Sequence, residues 1–225
     1  MNTPARVLVA LDCFRIERHT LELAARLAAG RGCPLHVLFI ESLELCHAAA
    51  IPFTCEVDRL SASVQPFEPS QLAWQMKRRL TRIESWLREI RSHWSLPGDL
   101  EVERGDYVET TLARAGSADL VVFSMRRQWQ TVGPKPPVWV WYDGSEHAEK
   151  ALEMASALAS EEGCRLLVAV PDASLRPSSG QVVSVSPEDW PELLQGQGCS
   201  AVFCPRTSHL AAFLSDKTHC PLVVV

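Results

Sequence analysis

The sequence predicts an α/β fold: two tandem repeats of an open, mostly parallel sheet with flanking helices, the second repeat shortened. Three observations predict it. Val138–Val170 reads as an apolar run ending in Asp143-Gly144-Ser145, then a helical pattern, then a second apolar run, which is a βαβ unit. The same unit occurs earlier, because Val7–Phe39 lies on Val138–Val170 without a gap. Val7/Val138, Val9/Val140, Asp12/Asp143, Leu21/Leu152, Glu22/Glu153, Ala24/Ala155, Leu27/Leu158, Ala28/Ala159, Gly32/Gly163, Cys33/Cys164, Leu35/Leu166 and Val37/Val168 are identical. A self-match of this length implies a duplicated βα module. Third, the remaining apolar runs are strand length and alternate with helical stripes, the pattern of a parallel sheet covered on both faces. The first repeat is expected over residues 1–134 and the second over 135–225.

The elements follow in order. Arg6–Leu11 is a continuous apolar run, as in a central parallel strand, and Asp12 closes it. Arg18–Gly30 carries Leu21, Ala24, Ala25, Leu27 and Ala28 at helical spacing, and Gly30 and Gly32 end it. Pro34–Ile40 is the second strand. Glu41–Ser70 is broken by Pro52, Pro66 and Pro69, with one short helix at Leu43–Ala50, and is longer than a tight connection needs. A lid or an interaction surface is the expected use of such a segment.

From Ser70, the residues Leu72, Met76, Leu80, Ile83, Leu87, Ile90 and Trp94 advance by fours and threes as one apolar helical stripe. Lys77, Arg78, Arg79, Arg82, Arg88 and Arg91 share that helix. They read as a solvated outer face rather than a phosphate or nucleic-acid patch, because Glu84 and Glu89 interrupt them and the chain as a whole is acidic. Pro97-Gly98 stops the helix. A strand at Leu100–Arg104, a helix at Val108–Ala115 and a buried strand at Leu120–Ser124 complete a βαβαβαβ series.

Val138–Tyr142 is expected to serve both repeats, as two strands merged into one. In the second repeat, Gln181–Ser186 reads as a strand, Glu188–Gln195 as a short helix and Ser200–Cys204 as a strand. His209–Lys217 reads as a helix and Leu222–Val225 as a last strand. Val122-Phe123 corresponds to Val202-Phe203, with Arg126 matching Arg206. The second repeat therefore lacks the long connection and the cationic helix. The segment between Val170 and Val182 is too short for a helical crossover, so an altered or antiparallel edge is expected there. An exposed edge at Leu222–Val225 would invite pairing between copies.

Composition bounds the function. At 47% hydrophobic and 22% charged, the 225-residue chain has the make-up of an ordinary soluble globule. A net charge of −5 argues against a broad attraction to nucleic acid or anionic membrane, and no apolar run is long enough to span a bilayer. The N-terminus enters a strand directly, with no signal-peptide pattern, so a cytoplasmic location is expected. The eight cysteines are expected to be mostly reduced and buried, with Cys33 and Cys164 as small core residues. Cys46-His47 with Cys55, and Cys199 with Cys204 and His209, lack the paired spacing of a zinc site, so no metal is expected. No nucleophile elbow or Walker loop is present and the seven histidines are scattered, so no catalytic residue is expected.

Several features together resemble the universal stress protein family: the strand ending in Asp12; Asp143-Gly144-Ser145-Glu146 with the helix Ala148–Ala159; Ser117–Ser124; and the ending Cys220-Pro221-Leu222-Val223-Val224-Val225. The match covers both halves apart from residues 41–69 and 171–180. The resemblance implies a fold related to the adenine nucleotide alpha hydrolases, with a five-stranded parallel sheet per repeat and an internal pseudo-dimer in tandem members. It also implies that Asp12 and Asp143 take the place of the aspartate that family members set against ATP. Those members carry a glycine loop after the fourth strand, which brings backbone N–H groups to phosphate. Here Ser124-Met125-Arg126-Arg127-Gln128-Trp129-Gln130-Thr131-Val132-Gly133 has one glycine, and Cys204-Pro205-Arg206-Thr207-Ser208 has none.

The expectation is therefore a non-catalytic stress-response protein working through protein contacts or as a homodimer, without family-type ATP binding. The alternative keeps ATP or AMP in the first repeat. Asp12 would face ribose or base, Phe39 or Ile40 would line the base pocket, Ser124 would stand at the tip of the fourth strand, and Arg126 and Arg127 would face phosphate. In the second repeat Asp143, Gly144 and Ser145 are the corresponding candidates, with helix capping as their competing role. A nucleotide hydrolase is the least favoured reading.

Overall fold

The computed structural model describes residues 6–57, 61–116, 119–125, 135–206, 214 and 217–225. A nine-stranded sheet organises them. Its first four strands in space are β5 (Gly98–Gly105), β2 (Leu35–Ser42), β1 (Val7–Asp12) and β6 (Leu120–Phe123). Then come β11 (Leu222–Val224), β10 (Ala201–Cys204), β7 (Val138–Trp141), β8 (Leu166–Val170) and β9 (Gln181–Ser184). Every pairing in it is parallel except that of β11 with β6, which is antiparallel. A separate two-stranded ribbon pairs β3 (Cys55–Val57) with β4 (Val64–Pro66).

Strand periodicity divides the core into two layers. Val7, Val9 and Leu11 point to the face packed by α1 (Arg18–Arg31), α3 (Pro69–Trp94) and α5 (Glu146–Glu162). Leu8 and Ala10 point to the other face, covered by α4 (Tyr107–Arg114) and α6 (Trp190–Gln197). Both faces of the central strands are fully buried, which is why they read as unbroken apolar runs. Gly32 and Gly163 both sit at φ 63° and end α1 and α5 in the left-handed conformation that glycine adopts without a Cβ penalty.

The stripe of α3 splits along its length. Ile83, Leu87 and Ile90 join the main core, whereas Leu72 and Met76 pack in a satellite cluster with Ala49 of α2 (Leu43–Ala50). The ribbon β3–β4 hangs from the same region, with every strand residue exposed.

Several expectations are corrected. Val138–Trp141 is not shared between halves: β7 pairs with β8 and β10, all from the C-terminal part. The strand at the junction is β11, which pairs with β6 on one side and β10 on the other. The C-terminal strand is therefore no exposed edge; β5 and β9 are the edges. The pairing of β8 with β9 is parallel, not antiparallel. Ten extended residues reach about 33 Å, about twice the length of a five-residue strand such as β8. Coil between Val170 and Gln181 thus returns the chain without a helix. Finally, Cys199 and Cys220 are joined in a disulfide, with a Cα–Cα distance of 5.9 Å. They precede the adjacent parallel strands β10 and β11, and that adjacency brings them together across a sequence separation of 21. The expected helix over His209–Lys217 falls mostly outside the described residues.

Candidate functional site

In open α/β sheets, ligands bind beyond the carboxyl ends of the strands. Two such ends carry the paired aspartates, and they are built differently.

At the first, β1 ends at Asp12, whose side chain is 7% exposed. Asp12 Oδ1 accepts the backbone N–H groups of Phe14 and Arg15, both at 2.7 Å. Asp12 Oδ2 accepts from Arg15 Nη1 at 3.1 Å. The Arg15 side chain is itself only 15% exposed, and its guanidinium lies 4.3 Å from the centre of the Tyr107 ring. Such a stack is favourable because the ring face is negative. The Tyr107 hydroxyl donates towards the backbone oxygens of Ala10 and Ser124, at 2.8 and 2.9 Å. Burial first, and then the charge of Asp12, hold its pKa well above the ordinary value of 10.0. Ser124 is fully buried, and its hydroxyl meets Thr20 Oγ1 at 3.4 Å. A closed polar network thus runs from Asp12 through Arg15 and Tyr107 to the ends of β1 and β6.

The other first-repeat candidates sit apart from this network. Phe39 and Ile40 are 0% and 1% exposed and belong to opposite core layers, so neither side chain faces an open cleft. Arg126 and Arg127 lie outside the described residues. Sequence reasoning missed Arg15 and Tyr107. The signal for Arg15 was its position three residues after the aspartate, the spacing at which a carboxylate and a guanidinium meet across a turn. Tyr107 is brought in by α4, which packs on β1 from 97 residues beyond Ala10, and carried no local signal.

At the second end, Asp143 is exposed, and its Oδ1 accepts the N–H of Ser145 at 2.9 Å. Ser145 is the N-cap of α5, its hydroxyl accepting from the N–H of Ala148 at 3.2 Å. Gly144 has φ 81°, and a Cβ there would come 3.2 Å from Cδ2 of Leu175. The coil before β9 therefore folds over this tip. Tyr142 donates its hydroxyl to Glu149; that bond, ahead of burial, raises the Tyr142 pKa.

Open space lies elsewhere. A cavity of about 330 Å³ sits between α2 and α3, beyond the ends of β2 and β5. A shallower one of about 660 Å³ runs along α5 beside Ser178 and Ser179. Among the described residues, no group of three or more His, Cys, Asp or Glu side chains is placed to hold a metal ion. No helix among them is long and apolar enough to cross a membrane.

This arrangement is similar to that of a universal stress protein from Archaeoglobus fulgidus DSM 4304. The two align with a TM-score of 0.50 and 13% identity, over 99% of this chain and 96% of that one. A functionally unknown protein from Pseudomonas aeruginosa PAO1 aligns over 100% of this chain and 93% of its own, with a TM-score of 0.49 and 10% identity. No family sequence model matches the chain, and no curated protein matches it. The fold is that of the universal stress proteins: a large, mostly parallel sheet flanked by helices.

Proposed function

We propose that this chain is a tandem universal-stress-protein-like protein that acts in a stress response through protein contacts, without catalysis and without family-type ATP binding. The tandem reading is supported by strand order: β5-β2-β1-β6 and β9-β8-β7-β10 run in the same relative sequence on either side of β11. One observation carries the non-binding reading. Both oxygens of the Asp12 carboxylate are engaged by the residues that follow it, and the Arg15 guanidinium lies over Tyr107 above the strand ends. A nucleotide held there would have to displace Arg15 and break a nearly buried ion pair, which is costly.

Millimolar ATP is expected to leave the melting temperature of the full chain unchanged, because any ligand of the native state must raise it. A rise of several degrees, lost when Arg126 and Arg127 are both changed to Ala, would replace this reading with a nucleotide-binding regulator using the first tip.

A further inference from the structure

The cavity between α2 and α3 has no part in the paired tips, and its lining specifies a ligand. Its floor is apolar: Ala49 from α2, with Leu72, Met76 and Leu80 from α3. Ala49, Leu72 and Met76 form the satellite cluster, and Leu80 packs against the main core beside it. Its rim is charged. Lys77 stands on one side and Arg104 on the other, with Glu41 paired to Arg104 at 3.0 Å. Lys77 forms no ion pair with any described residue, so two cations and one carboxylate leave the rim one positive charge in excess. Glu41 and Arg104 lie near the carboxyl ends of β2 and β5, where this class of sheet takes ligands. At about 330 Å³ the cavity falls in the range of small-molecule sites, roughly 300–1,000 Å³.

We propose that this groove binds an amphiphilic monocarboxylate, with a flexible aliphatic chain along Leu72, Met76 and Leu80 and its carboxylate between Lys77 and Arg104. Below the charged rim the only polar side chain in the lining is the Cys46 thiol, too weak a hydrogen-bonding group to read a base or sugar, and an unbranched methionine adapts to a flexible chain. A single surplus charge matches a carboxylate better than a phosphate dianion. The cavity lies away from Asp12 and Asp143, so the proposal is independent of the ATP reading.

The test titrates the full chain with butanoate, hexanoate, octanoate and octan-1-ol in a calorimeter. Octanoate is expected to bind, with affinity rising about fourfold per added methylene, and octan-1-ol is expected to bind at least tenfold more weakly. Lys77→Glu should lower octanoate affinity by at least tenfold, whereas Arg88→Glu, further along the same helix, should not change it. Ala73→Phe, an exposed change at the mouth of the groove, should abolish binding with the melting temperature preserved. Three results would each overturn the proposal: no octanoate binding; equal binding of acid and alcohol; or binding indifferent to both groove variants. A wild-type dimer in sedimentation that Ala73→Phe splits would also overturn it, by making a second copy the occupant. Preference for an acidic peptide over octanoate would do the same.

Discussion

The tip of β1 and the tip of β7 begin with the same aspartate and then part. Asp12 is followed by Cys13-Phe14-Arg15, and Asp143 by Gly144-Ser145-Glu146. In the second tip, glycine takes the left-handed turn, serine caps, and α5 starts at once. In the first tip no residue supplies that turn or that cap. The aspartate instead collects two backbone N–H groups and draws in Arg15, and α1 starts later, with Glu17 at its N-cap making no side-chain cap bond. Arg18, the first residue of α1, aligns with Glu149, one turn inside α5. The comparison teaches that one residue type at one topological position does two jobs. Asp12 is a buried structural anion, and Asp143 is an exposed turn former.

The sharpest contrast is expected on deletion of each carboxylate. Asp12→Ala removes the carboxylate that a nearly buried guanidinium and the N–H groups of Phe14 and Arg15 share, and should cost about 3 kcal/mol. Asp143→Ala removes one exposed bond and should cost less than about 1 kcal/mol. Urea denaturation of both variants checks this, and equal costs would break the distinction.

A second effect arises from the buried tyrosine of the first tip. The native pKa of Tyr107 is raised, while the unfolded chain releases that proton near the ordinary value of 10.0. The contribution of Tyr107 is therefore complete below about pH 10 and declines as pH rises from there towards its native pKa. Tyr107→Phe should make the fall in stability above pH 10 shallower by up to about 1.4 kcal/mol per pH unit. Denaturant melts between pH 9 and pH 11.5 measure the two slopes; superimposable slopes would contradict burial of that hydroxyl.

The third effect belongs to the turn of the second tip. Gly144→Ala places a Cβ at a positive φ and against Leu175, and should cost about 1.5 kcal/mol. Cys13→Gly, at the aligned first-tip position, should bring no gain from relieved strain, because Cys13 does not have a positive φ. Thermal melts of both compare the turns directly.

Local pattern carried much of this architecture. The bounds of α2, the length of α3 and the two βαβ units were legible because each is written in consecutive residues. What was not legible depends on pairing between distant segments. The sequence left open an exposed edge at Leu222–Val225, whereas β11 closes the middle of the sheet against β6. Likewise Cys199 and Cys220 show no paired spacing and meet only because β10 and β11 are neighbours. The parallel return to β9 was hidden by the assumption that a crossover needs a helix. At the candidate site, the acidic residue was legible and its consumption was not. Arg15 reads as an ordinary loop cation until Tyr107, brought in by α4, gives it a surface to lie on. The Cys199–Cys220 bridge leaves the other six cysteines as thiols, since geometry decides which thiols can meet.

The central claim is that the Asp12 carboxylate is occupied by its own loop. Proton–nitrogen correlation spectra of the full chain, recorded with increasing ATP, test it at the two amides that Asp12 holds. The account predicts that the Phe14 and Arg15 amide signals stay in place through millimolar ATP and exchange slowly with solvent. Saturable movement of both signals, with loss of that protection, would show that the carboxylate is released to a nucleotide and would contradict the account.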